Sequence, residues 1–214
     1  MKPVRTIIVA KAPLPGFAKT RLIPALGAEG AARLAQRMLH HTLHTAQAAQ
    51  LGPVELCMAP GPADPAWQCL DLPTNVDRSA QGEGDLGARM ARAVQRTLAR
   101  GQAALLIGTD CPAIDIALLH AAANALAGHD ASIVPTADGG YALLGLRRFD
   151  TRLFDAMPWS TSAVAALTLQ RIRELNWRVK VHPTLRDIDE PADIRWLPAS
   201  WGYVGTVTPD TAPV

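Results

Sequence analysis

Short apolar runs alternate with longer segments of mixed polarity along this chain of 214 residues. The apolar runs cover residues 4–10, 53–58, 104–107, 131–135, 141–146 and 177–182, and their length and Gly, Pro or polar boundaries are typical of strands. Apolar positions at helical spacing predict helices over 29–50, from 86 to about 100, from 115 to 128, and to about 175. This alternation is typical of an α/β domain with a mainly parallel central sheet flanked by helices.

The central stretch is 104–112, in which four apolar residues are followed by Gly108, Thr109, Asp110, Cys111 and Pro112. A strand that is apolar on both faces belongs in the middle of a sheet, and such sheets bind ligands beyond the carboxyl ends of their strands. We therefore expect Asp110 at the mouth of a site. The alternative is that Asp110 only caps the turn that follows.

A basic loop, residues 11–22, follows the first strand and is rich in Pro and Gly. Gly16 lets the backbone approach a ligand, while Lys11, Lys19 and Arg21 are suited to phosphate. The spacing is neither that of a P-loop nor that of a Rossmann fingerprint. The competing interpretation is a solvated basic loop.

A second Gly-rich segment, 81–90, leads into a helix. The amide of Gln81 offers donors and acceptors that can recognise a nucleobase, and Gly82 gives the segment freedom to approach it. Asp85 is in the position of an N-cap.

Two acidic segments follow later strands. Asp138-Gly139-Gly140-Tyr141 predicts a tight turn with positive φ, which is either a plain hairpin or a place where the Gly139 and Gly140 amides meet a sugar or phosphate.

The second acidic segment contains Asp187 and Asp189, which alternate, so their side chains lie on one side if the segment is extended. Pro191 begins a short helix with Asp193 in its first turn. A helix ending near 175 is expected to be capped by Ser160 or Thr161.

Composition excludes several classes of protein. Hydrophobic residues make up 49%, charged residues 19%, and the formal net charge is +2, which is typical of a globular chain without a general polyanion-binding field. Aromatic residues are only 5%, so nucleic acid is not expected as a partner. We expect one domain over 1–214, with 198–214 as a tail, no membrane span or signal peptide, and a cytoplasmic location.

The cysteines and histidines do not indicate a metal or redox centre. Cys57, Cys69 and Cys111 lack a CxxC pattern and are interpreted as reduced thiols, with Cys111 packing at a strand end. His40 and His44 lie one helical turn apart, but no HExxH motif accompanies them.

The basic loop, Asp110 and the Asp187/Asp189 pair should meet at one edge of the sheet. Carboxylates beside cations predict Mg²⁺ or Mn²⁺ together with a phosphate, because such ions use one or two carboxylates and substrate oxygens. Asp110 would bind the metal, with Asp187 or Asp189 as its second ligand or as the acceptor-side base, and Asp187 is the favoured second ligand.

The chain resembles an uncharacterised bacterial family of the GT-A glycosyltransferase superfamily, which has the nucleotide-diphospho-sugar transferase fold. The matching segments are Lys11-x-Pro13-x-x-Gly16-x-x-Lys19-Thr20-Arg21-Leu22, Gln81-Gly82-x-Gly84-Asp85-Leu86-Gly87-x-Arg89-Met90, Gly108-Thr109-Asp110-Cys111-Pro112, Asp138-Gly139-Gly140-Tyr141-x-Leu143-Leu144-Gly145, Trp159-Ser160-Thr161 and Asp187-x-Asp189.

The resemblance implies a nucleotide pocket formed by the basic loop and the Gln81 loop, with Asp110 as the metal-binding acid and Gly139, Gly140 and Tyr141 shaping the sugar or acceptor side. The predicted function is metal-dependent transfer from a nucleotide-activated donor to a small-molecule acceptor, with a nucleotide-diphospho-sugar as the favoured donor. A single aspartate where many glycosyltransferases have Asp-x-Asp leaves open a nucleotidylyltransferase that releases pyrophosphate. A non-catalytic nucleotide-binding protein is the third interpretation.

Overall fold

The computed structural model describes residues 3–203. Its strands are β1 (Val4–Lys11), β2 (Val54–Ala59), β3 (Asp77–Ala80), β4 (Ala103–Ile107), β5 (Ala131–Pro135), β6 (Tyr141–Leu146) and β7 (Val179–Val181). They form one sheet in the order β3-β2-β1-β4-β6-β5-β7. Only β6 runs against its neighbours β4 and β5, so the predicted α/β domain with a mainly parallel sheet is confirmed.

The helices are α1 (Ile23–Ala48), α2 (Leu86–Ala99), α3 (Ile116–Ala125) and α4 (Val164–Glu174). Short 3-10 helices cover Thr20–Leu22, Pro65–Trp67, Thr151–Leu153, Pro191–Trp196 and Ala199–Trp201. Helix α1 starts earlier than its apolar pattern predicts, with a break at Gly27, whose φ is 71°. No helix within residues 3–203 is both long and apolar enough to cross a bilayer.

Helix starts were predicted with mixed success. Asp85 and Asp115 accept hydrogen bonds from the backbone N–H groups of Ala88 and Leu118, as N-caps should. The predicted cap of α4 by Ser160 or Thr161 is wrong: the helix begins after Ala163 and has no side-chain cap. Its first turn is held instead by tertiary contact with the turn that joins β5 to β6.

The sheet buries both of its faces. In β4, Leu105 and Ile107 belong to the core beneath α1 and α3, whereas Ala104 and Leu106 belong to the core beneath α2. All five β4 residues are buried, which confirms the strand that the apolar run 104–107 predicts. Strands β1 and β4 are parallel neighbours in the middle of the sheet, so their carboxyl ends lie side by side at one end of it.

One strand differs from expectation. The apolar pattern does not predict strand β3, because its residues are polar and its place at the sheet edge does not require an apolar pattern. In the loop that follows β2, Trp67 is 4% exposed, and its indole N–H donates to the Pro60 carbonyl oxygen. The three cysteines are free thiols, as predicted.

Candidate active site

The site centres on the ammonium group of Lys19, at the end of the basic loop. Its Nζ contacts Asp110 Oδ1, lies 2.7 Å from Asp189 Oδ1 and lies 2.8 Å from the Ile188 carbonyl oxygen. Asp110 follows β4, and its own carbonyl oxygen accepts from Ile188 N–H at 2.8 Å. This bond joins the late acidic segment to the edge of the sheet beyond β4.

Lys19 is held in this position electrostatically. Its side chain is 8% exposed. Burial lowers the pKa of Lys19, but Asp110 and Asp189 more than offset that effect, so the net pKa is raised and the group stays charged. An ammonium group has three N–H donors, and all three have partners here. As placed, Lys19 has no donor left for the phosphate that the sequence predicts it to bind.

Asp187 has a different environment from Asp189, although the two alternate in sequence. Burial, followed by the carboxylates of Asp138, Asp189 and Asp193, raises the pKa of Asp187 to about 6. Within residues 3–203, no cation forms an ion pair with Asp187. The site therefore carries negative charge that Lys19 does not neutralise.

The other basic-loop residues lie around this centre. Lys11 is exposed at the last position of β1, and Gly16, with φ of 78°, is in the loop with open space around it. Arg21 is 3.4 Å from Glu190, and both side chains are mostly exposed. The charged groups of Lys11 and Arg21 are therefore accessible to a ligand, and binding one would disturb only the exposed ion pair of Arg21 with Glu190.

The Gln81 amide faces the protein. Its Nε2 donates to the carbonyl oxygens of Ala10 and Cys57 at 2.9 and 3.0 Å, and Gln81 is 3% exposed. Both amide hydrogens are therefore used to fasten the loop to the ends of β1 and β2. Recognition of a base acceptor by this amide group would require breaking one of these bonds. Gly82, by contrast, is exposed.

The Asp138 turn satisfies its own backbone N–H groups. The Gly139 N–H donates to Thr136 O at 3.0 Å, and the Gly140 N–H donates to Asp138 Oδ1 at 2.8 Å. Of the two interpretations of this turn, these internal acceptors favour the plain hairpin over contact of the two amides with a sugar or phosphate. The predicted positive φ is confirmed at Gly139, at 91°.

Tyr141 begins β6, beside the carboxyl end of β4, where the Gly108 N–H donates to the Ala142 carbonyl oxygen. Its hydroxyl is 3.8 Å from Met90 Sδ, and the side chain packs against the core beneath α2. Burial raises the pKa of Tyr141 far above its usual value, so the phenol stays protonated. The role of Tyr141 on the sugar or acceptor side stays a prediction.

Cys111 and His41 have structural partners. Cys111 Sγ donates to Arg186 O at 3.1 Å, and burial raises the pKa of the thiol to about 11, which confirms the packing role. His41 Nε2 is 3.0 Å from Pro112 O, and its ring meets Trp201 edge-on. Within residues 3–203, no group of three or more His, Cys, Asp or Glu residues is arranged to hold a metal.

Three side chains at this edge were missed by the sequence reasoning. Arg89 and Arg92, on the first turns of α2, donate to carbonyl oxygens of the Gln81 loop. Asp193 accepts from the Asp189 N–H at 3.2 Å and thereby fixes the segment that contacts Lys19. In the sequence, the only sign of the two arginine roles is that Arg89 and Arg92 lie three positions apart just after a Gly-rich loop.

This edge, with acidic and basic groups beyond β1 and β4, defines an α/β domain of the GT-A-like nucleotide-diphospho-sugar transferase fold. Residues 42–161 match the family described as an uncharacterized protein conserved in bacteria (DUF2064). The match covers more than half of the chain, so the chain belongs to this family. Among curated proteins, the comparison found no match.

Solved structures agree with this fold. A candidate nucleotide-diphospho-sugar transferase from Desulfovibrio desulfuricans G20 is 31% identical, with a TM-score of 0.81 over 89% of this chain and 84% of that chain. The 4-diphosphocytidyl-2C-methyl-D-erythritol synthase of Anaerococcus prevotii DSM 20548 is 13% identical, with a TM-score of 0.58 over 94% and 99% of the two chains. Rv0371c from Mycobacterium tuberculosis H37Rv, in complex with manganese, is 17% identical, with a TM-score of 0.57 over 94% and 100%. The last two show the fold alone.

Proposed function

We propose that this protein is a divalent-cation-dependent transferase that takes its transferred group from a nucleotide-activated donor, in the first place a nucleotide-diphospho-sugar. The observation that carries the proposal is the meeting of Asp110, Asp189 and Lys19 where β1 and β4 end. The name of the 31% identical relative supports the class of donor.

Two carboxylates and the oxygens of a donor suffice for a divalent cation, so the lack of a three-residue metal cluster within residues 3–203 does not conflict with such an ion. Asp110 and Asp189 have side chains that are 51% and 37% exposed, and Asp187 has no cation partner among the described residues. Asp110 and Asp187 would hold the ion, with Asp189 beside them, and donor phosphate oxygens would supply further ligands. When bound, Mg²⁺ or Mn²⁺ would stabilise negative charge on the departing diphosphate.

The chain's own residues perform the remaining tasks. Arg21 and Lys11 bind donor phosphate oxygens from the basic loop, and Lys19 joins them only after it leaves the carboxylates. With Asp187 on the ion, Asp189 is the carboxylate left to accept the acceptor hydroxyl proton once Lys19 has moved to the phosphates. The acceptor oxygen then bonds to the anomeric carbon, while the bond from that carbon to the diphosphate oxygen breaks.

A second candidate is nucleotidylyl transfer, in which an acceptor phosphate attacks the α-phosphate of a nucleoside triphosphate and pyrophosphate leaves. The observation that favours it is the single carboxylate after β4, in Gly108-Thr109-Asp110-Cys111, beside a loop with three cations. A triphosphate has more negative charge for those cations to bind than a sugar diphosphate has.

A thermal-shift screen distinguishes these proposals. Nucleoside triphosphates and nucleotide-diphospho-sugars are tested with Mn²⁺, Mg²⁺ or chelator, since a ligand that binds only the folded state raises the melting temperature. Metal-dependent stabilisation by one nucleotide-sugar, followed by its turnover, supports sugar transfer. A response to one triphosphate alone supports nucleotidylyl transfer. Stabilisation without turnover of any donor would indicate the non-catalytic interpretation, and no response from a folded sample would refute the nucleotide site.

A further inference from the structure

The loop 81–84 is fastened to helix α2 through its carbonyl oxygens. Arg92 Nε and Nη2 lie 3.1 and 2.8 Å from the Gln81 carbonyl oxygen, and Nη2 also donates to the Glu83 carbonyl oxygen. Arg89 Nε donates to the Gly84 carbonyl oxygen at 2.9 Å. Two guanidinium groups thus donate hydrogen bonds to three of the four carbonyl oxygens of the loop.

This arrangement determines where the loop's N–H groups face. In a planar trans peptide, the C=O of one residue and the N–H of the next are directed oppositely. The N–H groups of Gly82, Gly84 and Asp85 are therefore turned away from the guanidinium groups. Among residues 3–203, none accepts a hydrogen bond from these three N–H groups, and the loop is exposed to solvent.

The loop is also fixed to the edge that carries Asp110. The Gln81 N–H donates to Met58 O at 3.0 Å, and the Gln81 amide bonds to the ends of β1 and β2. Gly82 has φ of 75°, and a Cβ there would lie 3.0 Å from Arg92 Nη2. The positive φ and the close approach of the Arg92 guanidinium therefore both favour glycine at position 82.

We propose, building on the proposed function, that Arg92 is a positioning residue for donor recognition. By holding the loop carbonyls toward α2, it presents the N–H groups of Gly82, Gly84 and Asp85 to acceptor atoms of the donor nucleotide. Those atoms are the acceptor edge of the nucleobase or phosphate oxygens, which share this hydrogen-bonding chemistry. Arg92 itself does not contact the donor.

The test measures binding of UDP, GDP, CDP, ADP and inorganic pyrophosphate, each with Mn²⁺, by calorimetry. The expected result for Arg92→Met is a loss of about tenfold in affinity for the diphosphate that wild type binds best, because the aligned donors are lost. Arg92→Lys should recover part of it, since an ammonium reaches one carbonyl but lacks the planar fork. Reduced base selectivity with unchanged pyrophosphate binding assigns the N–H groups to the base, whereas a parallel loss of pyrophosphate binding assigns them to phosphate.

Arg171→Met is the matched control. Its guanidinium also binds backbone carbonyls, those of Arg152 and Asp155 at 2.6 Å each, but on a different loop. This variant should keep wild-type affinity and selectivity for the diphosphates. A general effect of removing a surface arginine would instead appear in both variants.

The outcomes separate this inference from the proposed function. If wild type binds none of the probes, both are refuted. If wild type binds and folded Arg92→Met keeps affinity and base selectivity within about twofold, the positioning role alone is refuted. Should Arg92→Met not fold, Arg92→Gln removes the same guanidinium but keeps a polar side chain, and unchanged binding by that variant would refute the role equally.

Discussion

Replacing Lys19 by methionine should tighten binding of Mn²⁺ to the protein when no nucleotide is present. The ammonium of Lys19 occupies the space between Asp110 and Asp189, at 2.7 Å from the latter, and so competes with any cation for these carboxylates. Methionine keeps much of the length and apolar volume of the lysine stem but removes the charge.

The magnitude follows from the exposure of the carboxylates. Two unit charges about 4 Å apart interact by about 1 kcal/mol in water and about 4 kcal/mol at an effective dielectric constant near 20. With carboxylate side chains 51% and 37% exposed, the lower part of that range applies. A gain of about 1–2 kcal/mol corresponds to Mn²⁺ binding tighter by roughly five- to thirtyfold.

Electron paramagnetic resonance of free Mn²⁺ measures this affinity directly. Arg21→Met is the matched control, because Arg21 is exposed and its nearest carboxylate, Glu190, is 3.4 Å away. It should change Mn²⁺ affinity little. With the donor nucleotide added, the effect of Lys19→Met should reverse, since the released ammonium is then missing from the phosphates. Unchanged or weaker Mn²⁺ binding by nucleotide-free Lys19→Met would refute the competition.

Three further predictions concern charge and packing. Mn²⁺ affinity should rise as the pH increases through about 6, because the pKa of Asp187 is raised to that value and its proton competes with the metal; calorimetry showing a flat profile between pH 5 and 7 would contradict this. Gly139→Ala should lower the free energy of unfolding in urea by more than about 2 kcal/mol, since its φ is 91° and a Cβ would lie 2.1 Å from Ser162 O. Gly101→Ala is the control, because its φ is 75° but the space around it is open, and it should cost only about 1–2 kcal/mol. Equal losses would disprove the steric argument. Glu55→Ala should cost about 3–5 kcal/mol in the same assay, because Glu55 is 2% exposed and binds two arginines, and a loss below about 1 kcal/mol would show that the ion network contributes little.

The sequence was sufficient for the features that depend on local pattern. The apolar run of β4 followed by Asp110 located the carboxylate at a strand end, and Asp85 and Asp115 marked two helix starts, because these signals act within a few residues. Strand β3 escaped detection because it is held at the sheet edge by polar contacts, such as the 2.5 Å bond from Arg5 to Asp77, and not by an apolar pattern.

The contacts within the site could not be predicted from the sequence, because they join residues that are far apart along the chain or depend on backbone direction. Lys19 and Asp189 are 170 positions apart, so no sequence spacing indicates their contact. Lys19 was expected to bind phosphate, but in the structure its N–H groups donate to carboxylates and a backbone carbonyl oxygen. The amides of Gly139 and Gly140 looked available in sequence, but the side chain and backbone of their own turn satisfy them. The role of Arg92 depends on the direction of loop carbonyls, which sequence does not determine.

The most direct test of the central claim is calorimetric titration of wild-type protein and Asp110→Asn with the best donor from the screen, with Mn²⁺ and with chelator. Wild type should bind the donor with Mn²⁺ and much more weakly with chelator. Asp110→Asn should bind weakly in both conditions, because a neutral amide replaces the carboxylate that follows β4. Donor binding that is equally tight in Asp110→Asn and still dependent on Mn²⁺ would show that the metal and the donor meet somewhere other than the end of β4.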